Sequence, residues 1–289
     1  MRLAVLVWTA ALAGCSIEVP STLEVDPDEV DDADDTGDLD DPAPQRGPVA
    51  RGEGKLSSNG LHLVPELLPG LEAVSLSAAA SELAASEEGT QHLEYLALCA
   101  LDEGDALEVD GASYSGLYGL APRWASGACD DSCQRWVTAC VLAHANAFGV
   151  EVTISLRGEH PGLAWDDDIV AEFPLQEAAF YGNLFTDTES WRAPIYACAG
   201  TALIEFEHGF PRLADDPWSY LDTRICSLDL PCGLDQTGAC HAPLELPPPC
   251  DAGATDSGYY GDCRGPRVPL APLRSPKHPE IITAYLAPD

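Results

Sequence analysis

The chain has 289 residues, with 48 Asp+Glu against 14 Lys+Arg and a formal charge of −34. Such a balance leaves no basic patch to neutralise nucleic-acid phosphates, and it repels anionic lipid headgroups. We therefore expect no nucleic-acid partner, and no membrane attachment through the protein's own face.

The first 14 residues, "MRLAVLVWTAALAG", place one arginine before an apolar stretch from Leu3 to Ala13 that ends in small residues. That is the pattern of an export signal. About eleven apolar residues are too few to span a bilayer, which needs roughly 20. Ala11-Leu12-Ala13 would suit an ordinary signal peptidase. Leu12-Ala13-Gly14-Cys15 also resembles the bacterial lipobox, whose cysteine carries diacylglycerol and becomes the new N-terminus. We read Cys15 as the lipid attachment site. The chain has 11 cysteines, and an odd one in an exported protein calls for an explanation. Setting Cys15 aside leaves Cys99, Cys129, Cys133, Cys140, Cys198, Cys226, Cys232, Cys240, Cys250 and Cys263. These are an even set, expected to form disulfides in an oxidising compartment.

Residues 15–56 read as the lipidated N-terminus and an acidic tether. Between Glu18 and Asp41 there are 12 acids and no base, so the segment has little to bury and repels itself. Its r.m.s. reach is roughly 35 Å, more when charged. Within it, Asp32 to Asp40 resembles the first nine positions of a calcium loop, but position twelve is Ala43 where the bidentate acid belongs. The solvated linker is the reading we keep.

From residue 57 the composition turns globular. We expect an α+β domain over 57–225 and a loop-rich, cysteine-rich subdomain over 226–289, together one disulfide-stabilised body. "SLSAAASELAAS" (75–86) and "TQHLEYLALCAL" (90–101) read as helices, the second with Thr90 as a cap. In "CDDSCQRWVTACVLAHANAFGVEV" (129–152), Cys133, Trp136, Val137, Cys140, Val141 and His144 share one helical face. Asp130, Asp131 or Ser132 would cap that helix, and Gly149 would end it. "GVEVTISLRG" (149–158) alternates as a strand with Val150, Val152, Ile154 and Leu156 on one face. "TALIEFEH" (201–208) and "EIITAYL" (280–286) read as further strands. After Cys226, five cysteines and the run Pro247-Pro248-Pro249 leave little room for regular structure.

No catalytic residue stands out. Cys140 and His144 are spaced to share a metal, but an oxidising compartment and scattered histidines favour a buried, hydrogen-bonded core histidine. No metal and no cofactor is expected. Cys133 and Cys140 are roughly 10 Å apart along a helix, too far for one bridge, so at least one must reach another element. "GASYSG" (111–116) is not a nucleophile elbow. The triplet Asp166-Asp167-Asp168 could serve glycoside chemistry but reads as a solvated turn. Trp165 and Trp191 sit in loop-like surroundings where they could line a ligand groove.

"GLAPRWASGACDDSCQRWVTACVLAHANAFGVEVTISLRG" and "EAAFYGNLF" resemble segments of uncharacterised exported lipoproteins of myxobacteria and similar bacteria, over roughly residues 91–289. The resemblance implies location and a cysteine framework, and no active site. The expected function is that of a lipid-anchored cell-envelope protein, in the outer membrane because Ser16 follows the cysteine, with a binding or structural role. Its partner would be an envelope protein or a glycan ligand. The alternative is an exported hydrolase, possibly glycan-active.

Overall fold

Residues 55–149, 151–186, 194–207, 210–213, 217–226, 232–241, 249–251, 258–265 and 277–288 are described by a computed structural model, with side chains from 204 to 219 left out. The expected signal peptide, Cys15, the expected tether up to residue 54 with its calcium-like stretch, and Trp191 lie outside the described residues. All the described residues fall within one compact unit, Arg46–Asp289. Among them, no helix is long and apolar enough to cross a membrane.

The strands are β1 (Leu56–Asn59), β2 (Ala106–Val109), β3 (Ala112–Ser115), β4 (Val152–Arg157), β5 (Leu175–Gly182), β6 (Ile195–Ala199), β7 (Ile204–Glu207), β8 (Phe210–Leu213), β9 (Leu234–Ala239), β10 (Cys263–Arg264), β11 (Lys277–His278) and β12 (Ile282–Leu286). The helices are α1 (Leu76–Leu83), α2 (Glu87–Ala100), α3 (Asp131–His144), α4 (Asp167–Glu172) and α5 (Pro217–Cys226). A six-stranded sheet runs β1-β4-β12-β5-β6-β9, and β2–β3, β7–β8 and β10–β11 form two-stranded ladders. In the large sheet only β6–β9 is parallel. The fold is α+β with a disulfide-stabilised body, as the sequence predicts. The cysteine-rich segment also reaches into the sheet, supplying its edge strand β9 and its interior strand β12.

The sheet is buried on both faces. One face presents Ile154, Leu156, Ala178, Phe180, Ile195, Ala197, Ile282 and Ala284, which join α1, α2, α3 and α5 in the main core. The other presents Ala179, Tyr181 and Cys198, packed with Cys240, Cys250, Tyr260, Cys263 and Ile281 in a second, smaller core. Fully burying one large apolar side chain contributes about 1.5–3 kcal/mol, so the cysteine-rich layer is an integral part of the packing.

Helix α3 is the centre of the main core. Its predicted stripe is buried apart from the half-buried Cys133, and so are its flanks, since Trp136 to His144 are all at most 9 % exposed. Asp130 caps it, accepting from Cys133 N–H at 2.9 Å. It stops at Ala145, which turns extended with ψ 127°, four residues before the predicted stop at Gly149. Asn146 then donates its N–H to Leu61 O, so the chain leaves the helix to pair with a neighbour. The cap of α2 also differs from expectation. Ser86 accepts from Gly89 N–H at 3.0 Å, whereas Thr90 lies inside the helix and donates to Ser86 O. Between β2 and β3, Asp110 and Gly111 take φ +50° and +87°, the Asp-Gly geometry of a tight hairpin. "GASYSG" is therefore one arm of a hairpin.

Candidate functional site

The ten body cysteines form five disulfides: Cys99–Cys140, Cys129–Cys133, Cys198–Cys240, Cys226–Cys232 and Cys250–Cys263. As the helical rise requires, Cys133 and Cys140 do not pair with each other. Cys140 ties α3 to α2 through Cys99, while Cys133 closes onto the residue just before its own helix. Cys198–Cys240 and Cys250–Cys263 meet in the second core, with Cys198 Sγ 3.4 Å from Cys250 Sγ. Among the described residues, two groups bring metal-ligating atom types together, Cys99 with Cys140 and His144, and Cys198 with Cys240 and Cys250. All of their sulfurs are held in disulfides, Cys250 through Cys263, and a disulfide sulfur offers no thiolate to a metal.

His144 is wholly buried. Its Nδ1–H donates to Cys140 O at 2.8 Å, which leaves Nε2 to accept from Ser57 Oγ at 2.7 Å. Tyr118 in turn donates to Ser57 Oγ at 2.8 Å. Burial drives the imidazole's pKa down to about 4, against a smaller opposing push from the Cys140 bond, so the ring is neutral near pH 7. A serine within reach of a neutral imidazole is the first half of a nucleophile–base pair. Here Tyr118 and His144 are both buried and occupy the hydroxyl from both sides. The chain Tyr118–Ser57–His144–Cys140 therefore links the hairpin region, β1 and α3 as a core network. Sequence reading placed His144 in the core but gave no sign of Ser57 as its partner.

The acidic triplet after Trp165 is no loose turn. Asp166 caps α4, accepting from Ile169 N–H at 2.8 Å, and Asp167 and Asp168 are exposed in its first turn. Acids there favour the helix dipole. Trp165 itself is partly exposed and meets Tyr259 edge to face at 5.5 Å. Trp124 and Trp136 are core residues.

Two further ionic groups were not legible in the sequence. The β5–β12 ladder skips Glu177, since Tyr285 pairs with Gln176 and Ala284 with Ala178. That bulge sends the Glu177 carboxylate to α5, where Arg224 Nε meets it at 2.9 Å and the Tyr220 hydroxyl donates at 3.0 Å. Both ionic side chains are almost fully buried. Arg157, at the end of β4, is 3 % exposed. It lies under the Gly258–Tyr260 segment, its guanidinium 3.6 Å over the Tyr285 ring. Tyr285 is fixed in turn by donation to Gly258 O at 2.9 Å and by Gln176 at 3.2 Å.

No family model, curated protein or solved structure matches this chain.

Proposed function

We propose that this protein is exported, lipid-anchored through Cys15 to the cell envelope at the outer membrane, and acts there through binding or as structure. The observation that carries the reading is the closed cysteine count. Five bridges consume all ten body cysteines, which leaves Cys15 as the one cysteine of eleven without a partner in the body. Five structural disulfides suit an oxidising compartment, and an unmatched cysteine directly after an apolar leader suits thioether lipidation. The resemblance to exported lipoproteins leans the same way. Against a glycan hydrolase, Asp166 is held as a helix cap and its two neighbours point into solvent, whereas glycoside hydrolysis needs two carboxyls about 5–9.5 Å apart across a substrate.

Labelling cells with a radioactive fatty acid tests the anchor. Wild type should incorporate label and partition into detergent, and Cys15→Ser should lose both properties. Unlabelled wild-type protein free in the medium would refute the anchor.

A further inference from the structure

We propose that Arg157, together with Trp165, Tyr259 and the backbone at Gly258, forms a binding subsite for the carboxylate of a sugar acid. This deepens the binding role inferred above, and rests on that reading only in taking the body to be a binding module.

Among the described residues the charge of Arg157 is unmatched. Acids outnumber bases more than threefold in this chain, and two other buried or half-buried arginines, Arg224 and Arg135, hold carboxylates. Arg224 holds Glu177, and Arg135 grips Glu280 with two bonds of 2.7 and 3.0 Å. Arg157 has no carboxylate partner among the described residues. Its Nη2 donates to Phe173 O at 2.7 Å, and its Nε is buried without an acceptor. Burial without a counter-charge disfavours the cation and holds its pKa below the ordinary guanidinium value, with Tyr285 opposing. A buried charge left uncompensated costs several kcal/mol. An arriving carboxylate offsets that cost and can accept from Nη1, the guanidinium nitrogen beside Gly258, because Nη2 already donates to Phe173 O and Nε is buried.

Beside Gly258 there is room for one methyl-sized group in ordinary contact with its neighbours. A side chain there would set its Cβ 3.5 Å from Arg157 Nη1 and 3.9 Å from Trp165 Cζ2. With φ at +72°, the position favours glycine, so the volume between guanidinium and indole stays unfilled by side chain. Trp165 and Tyr259 are both partly exposed at this point. Aromatic rings present an apolar face to the C–H side of a sugar, while a few placed polar groups fix its orientation. Exposed Asp167 and Asp168 follow closely after Trp165 and repel a bare anion. Ring contact must therefore supply part of the affinity, which favours a carboxylated sugar over a simple carboxylate.

The test titrates the full-length protein in detergent with glucuronate, glucose and acetate, read by tryptophan fluorescence and calorimetry. Glucuronate should saturate, acetate should bind more weakly, and glucose should give no response over the same range. Arg157→Met should weaken glucuronate roughly tenfold or more while still melting cooperatively. Trp165→Leu, at the partly exposed rim, should weaken glucuronate but leave acetate unchanged, and it carries the test if the arginine variant fails to fold. The proposal is overturned if glucuronate does not saturate, if glucose matches it, or if the folded variants bind it like wild type. None of these outcomes touches lipid attachment, which the Cys15→Ser experiment reads separately.

Discussion

Replacing His144 with glutamine should remove a pH dependence of folding worth about 3 kcal/mol. Burial lowers the folded-state pKa of His144 from 6.5 to about 4, and the nearby Arg224 cation adds a smaller push in the same direction. Between those values the unfolded chain binds a proton that the folded protein refuses. Stability is therefore complete above about pH 6.5 and is lost as the pH falls towards 4. At about 1.36 kcal/mol for each pH unit in that window, the loss comes to about 3 kcal/mol. His92, His160 and His278 are also pushed down by burial, so they tilt the wild-type curve the same way. Only the difference between wild type and His144→Gln isolates this residue. Urea unfolding of both proteins, disulfides intact, at several pH values between about 4 and 7.5 provides it. The glutamine variant starts from a lower plateau, because it disturbs the bonds to Ser57 and Cys140, and that offset does not enter the comparison. Wild type should lose about 3 kcal/mol more than the variant across the window. Parallel curves would mean that His144 takes up its proton in the folded protein, and the buried network from Tyr118 to Cys140 would be wrong.

Arg224→Met should cost about 3–5 kcal/mol by stranding the Glu177 carboxylate, while the double variant Glu177→Met with Arg224→Met should return most of that loss. The recovery is expected because Glu177 Oε2 and Arg224 Nη1 lack partners even in the intact pair; additive losses in urea unfolding would refute it. Disulfide deletion should follow loop length. Removing Cys99–Cys140, separated by 41 residues, should cost about 4 kcal/mol, and removing Cys129–Cys133, separated by 4, about 2. Equal losses in thermal melts of the two alanine pairs would contradict the chain-entropy account.

Local pattern revealed α3 and β12, because an apolar stripe or a short β-branched run reports burial directly. The ends of elements were less legible. Thr90 looks like a cap, yet Ser86 takes that role one turn earlier, since Glu87 and Glu88 extend the first turn of α2. Gly149 looks like a stop, yet α3 ends at Ala145, where backbone pairing with Leu61 draws the chain away. The second outcome depends on a neighbour distant in sequence. Arg157 shows the deeper limit. In "EVTISLRG" the alternation marks Ile154 and Leu156 as the apolar face and puts Ser155 and Arg157 on the polar one. In a two-layer protein that face would meet water. Here the cysteine-rich segment covers it, leaving Ser155 at 1 % and Arg157 at 3 % exposure. Ahead of β12 that segment has little periodicity to announce a second layer, being rich in cysteines, glycines and prolines.

The placement of the arginines follows from the charge. In a body this acidic, a surface arginine has many carboxylates to meet and none in particular, and exposed pairs contribute little. Arginines at the seams between elements are different, because desolvation makes each pairing specific and costly to break. Arg135 joins α3 to Glu280, just before β12, and Arg224 joins α5 to the bulge of β5. Arg157 occupies the third seam, between β4, α4 and the cysteine-rich layer, with a carbonyl and a ring in place of an acid. Had its task been only to satisfy Phe173 O at the end of α4, a neutral donor would have served without burying a charge. A full positive charge held there, between a tyrosine face and a side-chain gap beside a partly exposed indole, with no acid beside it among the described residues, makes physical sense if an acid arrives from outside.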